Sequence, residues 1–332
     1  MATIEGDMSG PSGETEIDMF RKMMLIKLCD ERLIEVIRAG QLRSPYYSPR
    51  GQEAISAAVS VNLRLEDYVV TIYRGLHDHL AKGVPLKELL AEYAGREAGS
   101  CKGKGGPMHI THPASGVMVT TGIVGSGIPI ANGLAWASLV KRDGRVCVSN
   151  FGDGASNIGA FHEGLNLASL WKLPVVFVCQ NNGYGEHTRY ELGTAVANVA
   201  DRATSYNMPG VTVDGNDPIA LWKVARQAIE RARSGAGPTL IEAKTFRFNG
   251  HTLGDPSEYI PKDVMSAARQ RDPIVCYRKS LLDRGIADDA LLTGIVKTLS
   301  DDVNEAMTFA LNAPWPVEQE LARDTYQEEL AL

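Results

Sequence analysis

The chain is poor in cysteine, and its five cysteines (Cys29, Cys101, Cys147, Cys179, Cys276) are scattered and odd in number. No pair has Cys-x-x-Cys spacing, which argues against a disulfide framework and against a zinc site of cysteines. A reducing compartment, the cytoplasm, is the expected setting. Basic residues are not in excess: 34 Lys and Arg stand against 40 Asp and Glu, for a formal charge of −6. Without a basic stripe, nothing points to nucleic acid. Two phosphate-binding signatures are also missing. There is no Gly-x-x-x-x-Gly-Lys-[Ser/Thr] run, and Gly152-Asp153-Gly154 meets Asn157 where a dinucleotide fingerprint needs its third glycine.

Charge is absent from Pro113 to Val140, the one stretch that could suggest a membrane span. It contains Gly116, Gly122, Gly125, Gly127, Pro129 and Gly133. A lipid-spanning helix tolerates that density of breakers poorly, so the expectation is a glycine-rich loop feeding a buried helix. Residues 1–16 are polar, without the basic start and apolar core of a signal peptide, and read as a mobile arm.

What is present is a pattern of alternating strands and helices. Helical spacing runs from Asp18 to Ala39, with Gly40 as the stop, and again over residues 52–62 and 86–93. Tyr68 to Ile72 is a short β-branched run. Arg145 to Asn150 alternates and meets Phe151-Gly152-Asp153-Gly154. A helical pattern follows, and Pro174 then opens the apolar run Val175-Val176-Phe177-Val178-Cys179. This is a β-α-β unit with parallel strands in a sheet covered on both faces. A helix over residues 218–233 and a strand over 239–246 extend the α/β pattern. Beyond Asp263 the chain is helical and charged. The expected organisation is an arm (1–16), an α/β domain (17–262) and a helical extension (263–332).

Asp153 and Asn182 end the two strands of the β-α-β unit, and ligands of open parallel sheets bind at those ends. The helix expected just after Gly154 offers free N–H groups to an anion. An Asp, an amide oxygen, a nearby backbone carbonyl and phosphate oxygens form a hard oxygen site, the preference of Mg²⁺. The residues themselves therefore suggest a Mg²⁺-diphosphate site.

Gly152-Asp153-Gly154-Ala155-Ser156-Asn157 through Gln180-Asn181-Asn182-Gly183-Tyr184 resembles the thiamine diphosphate motif of E1 alpha subunits. The likeness continues in Gly51-Gln52-Glu53-Ala54, Tyr73-Arg74-Gly75, Gly103-Lys104-Gly105-Gly106, Gly122-Ile123-Val124-Gly125 and Leu170-Trp171-Lys172-Leu173-Pro174. This is the family of pyruvate, branched-chain 2-oxo acid and acetoin dehydrogenases. The resemblance implies a thiamine diphosphate-binding α/β fold. It implies that Asp153, Asn182 and the Tyr184 carbonyl hold Mg²⁺, and that the backbone at Gly154 and Ala155 meets the diphosphate. Tyr73, Arg74 and Arg247 would bind phosphate oxygens, for which the planar arginine fork is suited. Gly122 and Val124 would hold the aminopyrimidine through backbone groups, and His251 would sit over the diphosphate.

Pyruvate-type alpha chains carry a histidine four residues before Gly51, where this chain has Tyr47. Tyr47 and His251 are the candidate catalytic side chains; loss of the histidine argues against pyruvate itself, and the adjacent Tyr46 and Tyr47 suggest a larger or more apolar substrate pocket. His109 reads as structural. His77, His79, His112, His162 and His187 are assigned no function, and Lys102 and Lys104 are expected to be solvated or to contact a partner chain. The segment from Arg247 to Tyr259 is expected to be mobile and to order on cofactor binding. The resemblance further implies an E1 beta subunit in an α2β2 assembly, which supplies the glutamate that activates the cofactor. The acyl group would pass from a 2-oxo acid or acyloin substrate to a lipoyl-bearing acyltransferase. The competing readings are a lipoyl-independent thiamine diphosphate ligase or lyase, acyloin-forming or transketolase-like, and a non-catalytic scaffold subunit.

Overall fold

The computed structural model describes residues 10–324. Six strands form one parallel sheet: β1 (Tyr68–Ile72), β2 (Val117–Thr121), β3 (Cys147–Gly152), β4 (Val175–Asn181), β7 (Gly210–Asp214) and β8 (Thr239–Lys244), in the order β2-β1-β3-β4-β8-β7. A small hairpin of β5 (Tyr184–Gly185) and β6 (Thr188–Arg189) follows β4, with one helical turn, α7 (Tyr190–Gly193), behind it. Every position of β4 is buried, which is why its sequence is a continuous apolar run rather than an alternating one.

Successive residues of a strand face opposite layers. Val176 and Val178 join Val69, Val148 and Ile241 in a core with α1 (Gly13–Arg38), α2 (Glu53–Ser60) and α8 (Pro218–Arg233). Val175, Phe177 and Cys179 join Val70, Cys147 and Phe151 in a second core beneath α5 (Gly127–Lys141) and α6 (Gly159–Leu170). A third cluster gathers α1, α3 (Leu76–Lys82), α4 (Leu86–Tyr93) and the end of α11 (Asp289–Asn312). Ile274, Tyr277 and Leu281 of α10 (Pro273–Asp283), with Leu292 of α11, belong to the same core as Met19 and Leu221, so these C-terminal helices share the apolar layer of α1 and α8. The connecting helix α9 (Lys262–Gln270) has no buried residue.

Several expectations need correction. Ser12 caps α1, its Oγ accepting the Thr15 N–H at 3.2 Å, so residues 13–16 are helical and not part of an arm; residues 1–9 lie outside the described residues. The uncharged stretch contains an edge strand, β2, hidden between Gly116 and Gly122. Its helix α5 is not fully buried: Ile130, Trp136, Leu139 and Val140 are exposed. Trp136 meets Trp171 edge to face at 4.1 Å between ring centroids. The helix expected right after Gly154 begins at Gly159, preceded by a 3-10 turn over Asp153–Asn157. Lys102 and Lys104 stand at the surface, as expected, but both also pair with Asp324 of their own chain, at 2.9 and 2.6 Å. Among the described residues, no helix is long and apolar enough to cross a membrane, and all five cysteines are free.

Candidate functional site

β3 and β4 run in register from Cys147 opposite Val175 to Gly152 opposite Gln180. Their carboxyl ends therefore lie side by side, and Asp153 and Asn182 emerge together. Asp153 is 2% exposed, and its carboxylate faces the backbone N–H groups of Asp153 and Asn182. Burial pushes its pKa up to about 6 despite those donors and Arg247. Among the described residues it forms no ion pair with a lysine, arginine or histidine. Asn182 donates from Nδ2 to Gln52 Oε1 at 3.2 Å, and its Oδ1 accepts the Tyr184 N–H at 3.3 Å. Behind it, Asn181 Nδ2 donates to buried Glu242 at 2.7 Å, which fixes the turn that Asn182 follows.

Two buried arginines approach from other loops. Arg74 donates to the carbonyls of Ser48 (2.8 Å) and His251 (3.0 Å). Arg247, 1% exposed, donates to the Tyr184 carbonyl (3.5 Å), to Tyr259 Oη (2.7 Å) and to the Glu186 carbonyl. Neither has a carboxylate within ion-pair range among the described residues. Burial lowers the Arg74 pKa to about 10, with Tyr73 opposing and Arg247 adding to the effect. The arginines therefore bring two positive charges into the protein with only carbonyl and phenol dipoles to hold them, an arrangement that gains from an anion.

The wall beside them is aromatic. Tyr47 packs edge to face on Tyr73 at 4.6 Å and on His251 at 5.3 Å. Burial, then the charges of Arg74 and Arg247, lower the His251 pKa to about 4, so its ring is neutral at pH 7. The segment from Arg247 to Tyr259, expected to be mobile, is laced in this structure. Asp255 accepts from the His251 N–H (2.6 Å), the Ser257 N–H (2.8 Å) and Tyr259 Oη (2.7 Å). Gly250 belongs to that lacing, since a Cβ there would lie 2.5 Å from Asp255 Cγ.

One cavity of about 420 Å³ collects these groups. It is lined by Tyr47, Tyr73, Arg74, Gly122, Val124, Asp153, Gly154, Ala155, Asn182, Tyr184, Arg247 and His251, every site residue expected from the sequence. A larger surface groove of about 570 Å³ beside α1 is lined by none of them. Gly154 sits against Gly185, where an added Cβ would be 3.3 Å from the neighbouring Cα, so the backbone forms a shallow floor. Gly125 has φ +76°, and a Cβ there would lie 2.0 Å from Ile158 Cδ1, so the turn carrying Val124 strongly favours glycine. Gln52 Nε2, Arg247 Nε and His251 Nδ1 are buried polar atoms without a partner among the described residues, and all three belong to residues at this site.

Sequence reasoning missed three groups here. Met108 and Ile72 line the cavity. Glu186, at φ +54° in the β5–β6 turn, also lines it, so this half of the site does contain a glutamate. No periodicity or motif marks an exposed hairpin residue of that kind. No cluster of three His, Cys, Asp or Glu side chains suited to a metal occurs among the described residues. Asp153 would therefore be the lone carboxylate of a metal site completed by neutral oxygens and by phosphate.

Residues 21–318 match the model of the dehydrogenase E1 component. The chain belongs to that family. It is 42% identical over 315 residues to the acetoin:2,6-dichlorophenolindophenol oxidoreductase alpha subunit of Bacillus subtilis, covering 94% of each chain. To the Cupriavidus necator protein of the same name it is 38% identical, again over 94% of each chain. It is also 35% identical over 329 residues to the chloroplastic pyruvate dehydrogenase E1 component subunit alpha-3 of Oryza sativa, covering 96% of this chain and 77% of that one. The E1 chain described here is thus similar both to acetoin-type and to pyruvate-type alpha subunits, and its parallel sheet is the α/β fold expected from the motifs.

Proposed function

We propose that this E1 chain is the alpha subunit of a thiamine diphosphate- and Mg²⁺-dependent dehydrogenase acting on a 2-oxo acid or an acyloin of the acetoin type. The observation that carries the reading is the set of buried, unpaired charges in the cleft. Two buried guanidinium groups and one buried carboxylate, none of them ion-paired among the described residues, face a single cavity. A diphosphate answers the arginines and a divalent cation answers Asp153. Bound there, thiamine diphosphate supplies the carbon nucleophile and the electron sink needed to cleave a bond next to a carbonyl.

The chain's own residues do the holding. Asp153, Asn182 Oδ1 and the Tyr184 carbonyl offer oxygens to Mg²⁺; Arg74, Arg247, Tyr73 and the backbone at Gly154 and Ala155 take the phosphates; Gly122 and Val124 present backbone groups to the aminopyrimidine. His251, neutral and half-buried, and Tyr47 form the wall that screens water from the reacting end. An E1 beta chain completes the site in an α2β2 assembly, and a lipoyl group on an acyltransferase accepts the acyl unit. The cytoplasm suits a chain with five free thiols. The names of the relatives and the retained charge set support this reading over a lipoyl-independent ligase and over a scaffold subunit.

The arginines test it. In the complex with the beta chain, Arg74→Ala and Arg247→Ala are each expected to weaken thiamine diphosphate binding by about 1.5–3 kcal/mol, the range for charge-assisted hydrogen bonds. By calorimetry this is about 10- to 150-fold in Kd. Normal binding by both variants would remove the diphosphate assignment.

Tyr47 tests specificity. Its ring packs on Tyr73 and His251, so it lines the cavity with an apolar aromatic edge where a histidine would present a more polar, hydrogen-bonding ring. Tyr47→His is expected to move the preference toward pyruvate, read as the ratio of kcat/KM for pyruvate to that for bulkier 2-oxo acids and acetoin. An unchanged order of preference means that Tyr47 does not face the substrate.

A further inference from the structure

Beneath the cleft lies a buried polar knot that none of the roles above uses. Asp78, in α3, is 3% exposed. Its Oδ1 accepts from Ser56 Oγ at 2.5 Å and from Gln180 Nε2 at 3.2 Å, and its Oδ2 accepts from Thr71 Oγ1. Gln180 Oε1 in turn pairs with His77 Nε2 at 2.9 Å, where the amide oxygen makes the imidazole the donor. The one basic group within ion-pair range among the described residues is that same His77 nitrogen, at 3.9 Å. The carboxylate is held by directional hydrogen bonds rather than by a countercharge.

The placement of the partners gives the knot its meaning. Ser56 is in α2, Thr71 in β1, Asp78 in α3 and Gln180 in β4. Each of these elements delivers a group to the cleft a few residues away. Gln52, at the start of α2, receives Asn182 Nδ2. Tyr73 and Arg74 join β1 to α3, and Asn182 directly follows β4. An apolar contact would hold the four elements together but leave their spacing adjustable. Hydrogen bonds to one buried carboxylate fix direction as well as distance.

We propose that Asp78 is a positioning residue that sets the phosphate-binding loop at Arg74 and the metal-binding turn at Asn182 at one fixed spacing. The proposal rests on the thiamine diphosphate–Mg²⁺ reading of the cleft. Asp78 touches neither group; it acts through Thr71 on the Arg74 loop and through Gln180 on the Asn182 turn.

The test uses the αβ complex, with thiamine diphosphate binding measured by calorimetry at fixed Mg²⁺. Asp78→Asn keeps the size of the side chain but turns an amide toward donors. It is expected to raise the cofactor Kd by about 10- to 100-fold, the usual cost of losing a group that orients ligands. KM for the cofactor should rise in parallel, while kcat at saturating cofactor stays within about threefold. Combined with Arg74→Ala, the loss should be smaller than the product of the single losses, because Asp78 acts through Arg74. Ile229→Ala, on the core-facing side of α8 and not among the cleft residues, serves as a stability control and should leave Kd unchanged at a comparable loss of Tm. Should Asp78→Asn not fold, Thr71→Val removes one donor to the carboxylate at nearly constant shape and should raise Kd by about threefold or more. A wild-type Kd in the variant that folds, or losses that multiply fully with Arg74→Ala, overturns the proposal and leaves the cofactor reading standing. Failure of the wild-type complex to bind thiamine diphosphate removes that reading, and the proposal with it.

Discussion

Asp153→Ala is expected to abolish turnover and to remove Mg²⁺-dependent cofactor binding while leaving the fold intact. The carboxylate is 2% exposed and sits at the end of β3 beside the end of β4, so its removal exposes no large surface and breaks no ion pair among the described residues. The cost of keeping it there is visible in its pKa, raised to about 6 by burial. A buried carboxylate with no countercharge among the described residues gains from a bound cation. Loss of residues that merely orient metal ligands weakens metal affinity by about 10- to 100-fold, so loss of a direct ligand is expected to exceed about 100-fold. Calorimetry on the αβ complex, with circular dichroism to confirm folding, measures both halves of the prediction. Cofactor affinity within about threefold of wild type would falsify the magnesium assignment.

The chain by itself is expected to be catalytically silent. Its cleft offers the proposed metal and phosphate grip, and among the described residues the only carboxylates lining it are Asp153 and Glu186. Glu186 lies in the exposed β5–β6 turn, and its own carbonyl is held by Arg247, one of the two arginines proposed for the phosphates. The surface around that backbone is also open. Ile123 is 71% exposed and Val124 49%, and the apolar residues continue along α5 to Val140 at 68%. Apolar surface of this continuity marks an interface. The isolated chain should therefore self-associate and bind cofactor weakly; adding the beta chain should restore tight binding and turnover together. The assay is decarboxylation or acyloin oxidation with an artificial electron acceptor, with and without the beta chain. Robust turnover by the chain alone, lost in Glu186→Gln, would show that Glu186 serves as the activating carboxylate and would overturn the two-chain reading.

How much of this could be read from residues alone depended on the range of the interactions. The β3-α6-β4 unit was legible because its strands are buried on both faces and its motif sits at their ends. Arg74 and Arg247 were legible only through the resemblance, since nothing in their local sequence says that two loops distant in the chain meet. β2 was missed because it is five residues long, half-buried and flanked by glycines, so it reads as loop. α3 was missed for the opposite reason. All seven of its residues are buried, including His77, Asp78, His79 and Lys82, so it has no polar face and no helical periodicity. Burial of such groups becomes possible only when partners from other elements arrive. Lys82 Nζ, for instance, donates to the carbonyls of Arg64, Leu65 and Ser115.

The paired indoles of Trp136 and Trp171 give the protein an optical readout of its own assembly. They sit 4.1 Å apart, 45% and 39% exposed, on the apolar face at α5. The remaining two tryptophans report elsewhere: Trp222, in α8, is already buried, and Trp315 lies beneath the Arg96 guanidinium at 3.7 Å. A chain that covers α5 transfers two coupled indoles from water to an apolar surface and leaves the other two as they were. Emission should move to shorter wavelength and the near-ultraviolet dichroism of the pair should sharpen, so that docking can be followed in unlabelled protein, in real time and apart from catalysis.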